Sequence, residues 1–270
     1  MVDRLSSRMS RVCVIGHRGM LGHVVARYLE ESGFEVLTLS ERFADGPEGD
    51  FFVDSINELG VDWCVNCIGV RAGGGVSDDW VDRMNHQLPA LCSRRLRSDC
   101  GLIHASSDGV FSPSSGPCDW DCSTDAEDVY GISKRRAEQA LTRENDLIIR
   151  CSIIGPELGL PRSLFGWLAN QKGRVDGYTN HCWNGITSLQ WAKECVELIR
   201  FQGKRERRIV QPASSPVVNK GELLGCLCKE WAFSLKVCPV IGPVSVTRHL
   251  VATTQTRPLD TLLAELKAWY

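Results

Sequence analysis

The chain has 270 residues, of which 43% are hydrophobic and 24% are charged, and its formal net charge is -2. This composition is ordinary for a globular protein and leaves room for one large domain, or for one domain with a smaller appendage. The lack of a basic excess argues against nucleic-acid binding through a broad charged face.

No apolar run is long enough for a transmembrane helix, and residues 1–10 are too polar for a secretory signal. We therefore expect a cytoplasmic protein whose partners are neither nucleic acid nor membrane. The 13 Cys residues are consistent with reduced thiols there, because several lie in apolar, strand-like runs. The pair Cys64-x-x-Cys67 has no second pair at zinc-finger distance, so no metal site is predicted.

The chain opens with the pattern of a βαβ unit. The apolar run from Arg11 to Ile15 predicts a buried strand, a glycine turn follows it, and helical spacing then continues to about Ser32. A second strand is predicted from Glu35 to Leu39.

The turn between the first strand and helix has the spacing G-x-x-G-x-x-G. Glycines at these positions allow a tight turn, the approach of a pyrophosphate and close packing of helix on strand. The helix N-terminus would then face the phosphates. We predict that this turn binds a dinucleotide cofactor through Gly16, Arg18, Gly19, Met20, Leu21 and Gly22.

The end of the second strand should meet the adenosine ribose, and there the chain reads Leu39-Ser40-Glu41-Arg42. A carboxylate would bind a ribose 2′-hydroxyl, whereas an Arg would bind a 2′-phosphate. Both are present, so the choice between NADH and NADPH is open, and Ser40 and Arg42 slightly favour NADPH.

Three more strands are predicted before residue 106. Phe51 to Val53 forms a short one that Asp54 ends, and Asp54 is a further cofactor candidate. The second, Asp62 to Val70, carries Cys67, Ile68 and Gly69 at its carboxyl end, where ligands bind in open α/β sheets. A glycine-rich loop from Arg71 to Ser77 follows, either a lid over a substrate or a linker. Helical spacing then runs from Asp79 to Arg97, with Pro89 expected to bend or crowd it.

The third of these strands, Gly101 to Ala105, runs into Ser106-Ser107-Asp108-Gly109. Downstream, Tyr130 and Lys134 occupy positions i and i+4 of a predicted helix, which places a phenol beside an ammonium. The ammonium would lower the pKa of the phenol and allow proton exchange near neutral pH. Alone, this spacing is a weak motif.

A last strand of the first half is predicted from Asp146 to Ser152, so strands and helices alternate over 11–155. This alternation predicts an α/β fold, a Rossmann-type doubly wound parallel sheet. Residues 156–270 are predicted to form mainly a smaller substrate-binding part. The prediction leaves open that some of these residues belong to the first domain. It should contain four helices, at 164–171, 189–201, 219–231 and 260–269, and a strand at 208–210. Its most suggestive stretch, Tyr178 to Gly185, offers Trp183 and Asn184 as substrate contacts.

Together, the glycine turn, the strand-end serine and Tyr-x-x-x-Lys resemble the extended short-chain dehydrogenase/reductases. Within them the chain is similar to the dTDP-4-dehydrorhamnose reductase group. Ser106-Ser107-Asp108-Gly109-Val110-Phe111 is similar to that group's Ser-Thr-Asp-x-Val-Phe, and Val129-Tyr130-Gly131-Ile132-Ser133-Lys134 to its Val-Tyr-Gly-x-Ser-Lys. The resemblance is good over most of residues 11–155 and loose elsewhere.

The resemblance implies NAD(P)H-dependent reduction of a nucleotide-linked 4-keto-6-deoxy sugar, in deoxysugar or surface-polysaccharide biosynthesis. It implies that Ser107 polarises the carbonyl, Tyr130 donates the proton and Lys134 holds the nicotinamide ribose. Ser106 would line the cofactor and Asp108 the substrate. Gly109 stands where the group has a larger residue, and the loop after Val70 departs from the group's pattern.

Two other functions stay open. One is a sugar-nucleotide epimerase or dehydratase on the same fold, although dehydratases usually carry Asp-Glu where this chain has Asp108-Gly109. The other is a catalytically silent, NADP-binding regulatory subunit. The oligomeric state is also open, a homodimer being one option.

Overall fold

The structure is a computed structural model that describes residues 9–39, 43, 50–159, 162–201 and 207–270. Within these ranges, no helix combines the length and apolar character needed to cross a membrane.

Strands and helices alternate through the described chain. The strands are β1 (Arg11–Ile15), β2 (Glu35–Leu37), β3 (Trp63–Asn66), β4 (Gly101–Ser106), β5 (Pro117–Cys118), β6 (Asp146–Arg150), β7 (Ile153–Ile154), β8 (Gly173–Tyr178), β9 (Cys182–Trp183), β10 (Ile186–Thr187), β11 (Ile209–Val210), β12 (Val218–Asn219), β13 (Leu235–Val240) and β14 (His249–Leu250). The α-helices are α1 (Gly22–Glu31), α2 (Asp50–Glu58), α3 (Asp78–Asp82), α4 (Leu88–Arg95), α5 (Val129–Ala140), α6 (Leu164–Ala169), α7 (Ser188–Arg200), α8 (Lys220–Trp231) and α9 (Leu259–Trp269).

Among the described residues, the central sheet has six parallel strands in the order β11-β6-β4-β3-β1-β2. Alternate residues of β1 face opposite sides, so Val12 and Val14 enter one buried cluster while Cys13 and Ile15 enter the other. Consecutive strands lie on opposite sides of β1, which makes its carboxyl end a topological switch point. The predicted α/β doubly wound fold is confirmed.

The second half contributes to both the central sheet and a separate core. Strand β11 pairs with β6, with Ile209 opposite Ile148, and α7 carries the buried Trp191 into the same cluster as Val24 of α1. A third cluster lies between α6, α8, α9 and the β8–β13 pair. Residues after 155 therefore complete the first core and also build one of their own.

Two predicted elements differ in the structure. Phe51 to Val53 was predicted as a strand, but these residues begin helix α2. Phe52, Val53 and Ile56 are buried while Phe51 is 67% exposed, which is helical rather than alternating spacing. The apolar run was too short to distinguish helical periodicity from the alternation of a strand.

The helix predicted from Asp79 to Arg97 is interrupted by a π-helical turn, Arg83–Gln87, between α3 and α4. Pro89 lies in the first turn of α4 and has no N–H to donate to the carbonyl of Asn85, which its ring also crowds. The wider turn relieves this conflict, and π-helical turns of this kind are frequent at functional sites.

A buried ion pair joins α5 to β6. The Glu138 carboxylate accepts hydrogen bonds from Arg150 Nε at 2.9 Å and Nη2 at 2.6 Å, and both side chains are almost wholly buried. Ser106 donates to the same carboxylate at 2.6 Å, and Arg150 Nη1 donates to Gln211 at 2.8 Å. The network thus ties the ends of β4 and β6 to the helix and to the segment after β11.

Replacing Glu138 by Ala leaves the Arg150 guanidinium buried without its carboxylate. We expect the free energy of unfolding to fall by about 3–5 kcal/mol, as for other broken buried pairs, measured by urea denaturation. The control is Asp99→Asn, which removes an exposed ion pair with Arg97 and should change stability little. Equal losses in the two variants would contradict the role given to the buried pair.

Candidate active site

The glycine turn lies against the end of β3 at the switch point. Gly16 has φ +82°, and a Cβ there would lie 2.8 Å from Ile68 Cγ1. Gly19 N donates to Gly16 O at 2.9 Å, and a Cβ on Gly22 would lie only 2.1 Å from the same oxygen. Side chains at these positions would collide with backbone, so the turn needs its glycines for close packing as well as for conformation.

Lys134 joins this region to helix α5. Its ammonium donates to the carbonyl oxygens of Ala105 at 2.9 Å and Ile68 at 3.3 Å, and a Cβ on Gly69 would lie 3.8 Å from Nζ. Burial lowers the pKa of Lys134 to about 8, while Glu138 acts in the opposite direction. The structure thus brings together Gly16, Ile68, Gly69 and Lys134, four of the predicted cofactor residues.

Ser107 and Tyr130 meet at the carboxyl end of β4. The Ser107 hydroxyl accepts from Gly109 N at 3.0 Å and donates to Asp108 Oδ1 at 3.1 Å. It also lies close to the Tyr130 ring, since a Cβ on Gly109 would lie 3.2 Å from Ser107 Oγ and 3.1 Å from Tyr130 Cε1, and its influence on the phenol acts to lower the pKa of Tyr130. The two predicted hydroxyl groups therefore lie near each other at the carboxyl edge of the sheet.

The close approach of two glycines makes this meeting possible. Asp128 caps α5 by accepting from Gly131 N at 3.0 Å. A Cβ on Gly131 would lie 2.3 Å from Gly109 O, and one on Gly109 would lie 3.1 Å from Tyr130 Cε1. The first turn of α5 can therefore rest directly on the loop that carries Ser107.

The expected effect of Lys134 on Tyr130 is wrong in this structure. The pKa of Tyr130 is raised, chiefly by burial, and the cation that opposes this is Arg71, whose Cζ lies 5.4 Å from the phenol ring centroid. The Lys134 ammonium is instead held by two backbone carbonyls. The i, i+4 spacing placed the two residues on one helix face. It could not show that burial of the phenol would affect its pKa more than a nearby cation does.

The π-helical turn supports the site from behind. Asn85 is fully buried, accepts from Val70 N at 2.8 Å and donates to Val70 O at 2.7 Å. Its amide also donates to Ser133 Oγ at 3.0 Å. Asn85 therefore fixes the start of the loop that carries Arg71 against the helix that carries Tyr130.

Three cations near Tyr130 or Asp108 were not predicted as site residues. Arg71 follows β3, Lys220 begins α8, and Arg248 Nε lies 3.4 Å from Asp108 Oδ2. Asp108 also accepts from Ser152 Oγ at 2.9 Å. Lys220 and Arg248 lie far along the chain from the motifs, so no local pattern could have assigned them.

Other predicted contacts have different partners. Asp54 lies on α2 and pairs with Arg95, so its role at the cofactor stays a prediction. The hydroxyl of Ser106 is engaged by Glu138. Ser40 and Arg42 lie outside the described residues.

The two residues predicted to contact substrate in the second half, Trp183 and Asn184, have protein neighbours in the structure. Asn184 donates to Leu250 O at 2.8 Å and accepts from Leu250 N at 3.1 Å, which uses its amide to fix β14 and leaves the substrate contact without support. Trp183 is 5% exposed, and Lys220 Nζ lies 5.7 Å from its ring centroid.

The residues present fit a nicotinamide dinucleotide. The turn from Gly16 to Gly22 carries no side chain at three of its seven positions and leads into the N-terminus of α1, where backbone N–H groups can receive a pyrophosphate. At the other end of the crevice, Lys134 lies beside Gly69, where a Cβ would lie 3.8 Å from Nζ.

Gly22→Ala would place a methyl group against Gly16 O, so we expect NAD(P)H affinity to fall at least about tenfold, equivalent to 1.4 kcal/mol. Titration of cofactor fluorescence measures the change. The matched control is Gly225→Ala in α8, where a Cβ meets no atom within 4 Å and removal of a helical Gly should stabilise slightly. Unchanged cofactor affinity in Gly22→Ala would contradict the assigned turn.

Lys134 also predicts a pH dependence of stability without cofactor. Its pKa is about 8 when folded against 10.5 ordinarily, so between these values the unfolded chain binds more protons. The free energy of unfolding therefore gains about 3 kcal/mol from this group as pH rises through that interval. Lys134→Met lacks the gain, and urea denaturation of both proteins at several pH values should show their difference growing with pH. A constant difference would contradict a depressed pKa.

Comparison with known proteins agrees with this geometry. The family model described as NAD dependent epimerase/dehydratase family matches residues 12–155. No curated protein sequence matches the chain.

Solved structures share the fold over almost the whole chain. A dTDP-4-dehydrorhamnose reductase from Bacillus anthracis in complex with NADP has a TM-score of 0.82 at 13% identity, covering 96% of this chain and 99% of that chain. A dTDP-glucose 4,6-dehydratase from the same organism in complex with NAD has a TM-score of 0.73 at 12% identity, covering 97% and 96%. A UDP-glucuronic acid 4-epimerase from Bacillus cereus in complex with NAD has a TM-score of 0.67 at 14% identity, covering 96% and 97%.

These identities are low, so the structures support the fold alone. The family model, in contrast, spans just over half of the chain and covers the glycine turn, Ser107, Tyr130 and Lys134 together. The chain belongs to the NAD-dependent epimerase/dehydratase family, the extended short-chain dehydrogenase/reductases.

Proposed function

We propose that this protein reduces the 4-keto group of a nucleotide-linked 6-deoxy sugar with NADPH or NADH, in deoxysugar or surface-polysaccharide biosynthesis. The observation that carries the proposal is the proximity of Ser107 and Tyr130 at the carboxyl end of β4, where a Cβ on Gly109 would lie 3.2 Å from Ser107 Oγ and 3.1 Å from Tyr130 Cε1. NADPH is the slightly favoured cofactor, on the sequence of the Ser40–Arg42 stretch.

Two hydroxyl groups that donate to one carbonyl oxygen are sufficient for the part of a reduction that the protein performs. A bound nicotinamide supplies the hydride to the keto carbon. As negative charge develops on the oxygen, Ser107 would turn its hydroxyl proton from Asp108 Oδ1 to that oxygen, and Tyr130 would transfer its proton to it. Gly109 N, which donates to Ser107 Oγ at 3.0 Å, holds that hydroxyl in place.

The raised pKa of Tyr130 suits the direction of reduction. A phenol that stays protonated at neutral pH is a proton donor ready for each turnover. Lys134, whose ammonium spans Ala105 O and Ile68 O, would position the nicotinamide ribose against this phenol, the role that the family resemblance implies for it.

The residue after Asp108 disfavours a dehydratase. Gly109 adds no second carboxylate, and a Cβ there would already lie 3.1 Å from Tyr130 Cε1. A reductase needs only the one acid that Tyr130 provides. Support for the reductase over the epimerase comes from the motif resemblance at Ser106–Phe111 and Val129–Lys134.

The direct test is oxidation of NADPH and NADH with dTDP-, UDP- and GDP-linked 4-keto-6-deoxy sugars. We expect stoichiometric cofactor consumption with at least one of them. Interconversion of sugars without net consumption would instead indicate an epimerase. Binding of NADPH without turnover across the whole panel would indicate a regulatory subunit.

Tyr130→Phe removes the proton donor and keeps the ring. We expect kcat to fall about 10²–10⁴-fold while NAD(P)H affinity stays nearly unchanged, measured by cofactor oxidation and fluorescence titration. Tyr28→Phe, a change in a partly buried α1 residue, should leave both quantities unaltered. A Tyr130→Phe enzyme with near-normal kcat would end the assignment.

Ser107→Ala removes the second donor to the carbonyl oxygen. For a lost donor of this kind we expect kcat to fall about 10²–10³-fold, with cofactor affinity retained. A change confined to KM would mean that Ser107 only binds the ground state.

A further inference from the structure

The end of α9 packs along one face of α1, the helix that follows the glycine turn. His23, Arg27 and Glu31 are spaced four residues apart and therefore share that face. The Arg27 guanidinium lies 4.0 Å from the centroid of the Trp269 ring and donates to the Trp269 carbonyl at 3.2 Å. Trp269 Nε1 donates to Glu31 Oε2 at 2.6 Å. These contacts bring the next residue, Tyr270, to the first turn of α1.

His23 connects Tyr270 to the glycine turn. Its Nδ1 lies 2.8 Å from Gly19 O, and its Nε2 lies 2.5 Å from the Tyr270 hydroxyl. A carbonyl oxygen can only accept, so Nδ1 carries the hydrogen, and Nε2 of the neutral ring then accepts from the phenol. Partial burial raises the pKa of Tyr270 to about 12, which keeps this donor protonated at neutral pH. One imidazole thus links the residue after α9 to a backbone carbonyl of the turn.

The contact with Gly19 O fixes the orientation of one peptide group in the turn. Gly19 N donates to Gly16 O at 2.9 Å, so Gly19 is held at both its N–H and its carbonyl. The Gly19–Met20 peptide is trans, since cis peptides among the described residues are confined to Ser215–Pro216. In a trans peptide the carbonyl and the following N–H point in opposite directions. The contact with His23 therefore also sets the direction of the Met20 N–H, one of the donors expected to receive the pyrophosphate.

The position of α9 does not depend on the contacts at its end. Leu262 and Leu266 enter the buried cluster shared with α1, whereas Leu259 and Leu263 enter the cluster built by the second half. Tyr270 itself is 49% exposed. A change at its hydroxyl should therefore leave α9 in place and act on the turn only through the imidazole.

We propose that His23 and Tyr270 are positioning residues for the cofactor, which hold the glycine turn through Gly19 O in the form that receives the pyrophosphate. The inference goes beyond the proposed reduction, because it requires only that the turn binds the cofactor and does not depend on which sugar is reduced. Since the contact joins α9 to the turn, cofactor binding should in return strengthen the contact at Tyr270.

The test measures the affinity for NADPH by fluorescence titration and the affinity for ADP by isothermal titration. ADP carries the pyrophosphate without the nicotinamide. His23→Ala removes the bond to Gly19 O, and we expect both affinities to fall about fivefold to tenfold, as the loss of one or two hydrogen bonds gives. His23→Asn retains an N–H donor near the position of Nδ1 and should recover most of this loss.

Tyr270→Phe separates positioning from packing. The ring stays beside those of Trp269 and His23 while the hydroxyl bond to Nε2 is lost, so we expect both affinities to fall about threefold. In the His23→Ala protein the same change should have no further effect, because the hydroxyl acts through the imidazole. Tyr28→Phe, a change at a partly buried residue of the same helix, is the matched control and should leave both affinities unaltered.

The outcomes distinguish this inference from the proposed function. Equal losses for NADPH and ADP, without additivity in the double variant, would support the positioning role. A loss confined to NADPH would place the effect at the nicotinamide end and overturn it, as would additive losses in the double variant or unchanged affinities in His23→Ala. The predicted losses of affinity in a protein that reduces no ketosugar would contradict the proposed reductase and leave the positioning role standing.

Discussion

The Lys134 ammonium holds together the parts of the molecule on which the site depends. It lies on α5 and donates to carbonyls that follow β3 and end β4, so one buried charge connects two neighbouring strands to the helix that carries Tyr130. Its burial is unfavourable for a cation, as the depressed pKa shows. The carbonyl dipoles and the field of Glu138 offset part of that cost.

Backbone contact does the rest of the positioning. Gly131 meets Gly109 O, and Gly22 meets Gly16 O, at distances that no Cβ could enter. Helices α5 and α1 therefore sit directly on the strand-end loops rather than on side chains. Such packing leaves little freedom for the phenol, the serine hydroxyl and the glycine turn to shift relative to one another, which is the pre-organisation that proton transfer requires.

Local patterns in the sequence were enough for most of the strands in the first half of the fold. Apolar runs predicted β1, β3, β4 and β6, and the glycine spacing predicted the turn, because each depends on residues close together in the chain. The brief run from Phe51 to Val53 was ambiguous, and the π-helical turn arises from a conflict between Pro89 and Asn85 that periodicity does not report. Arg71, Lys220 and Arg248 converge only through tertiary folding, and the pKa of Tyr130 depends on how deeply it is buried. No short sequence motif specifies a charge environment of this kind.

The return of the chain to the central sheet bears on the order in which the molecule can fold during synthesis. The sheet gains its edge strand, Ile209–Val210, and α1 gains the cover of Ser188–Arg200 only after the intervening 156–187 segment has been made. A nascent chain that has exposed just the residues matched by the family model therefore has an open sheet edge and an uncovered apolar helix face. The glycine turn and the Tyr130 helix emerge early, yet the core beneath them closes only when residue 210 has left the ribosome.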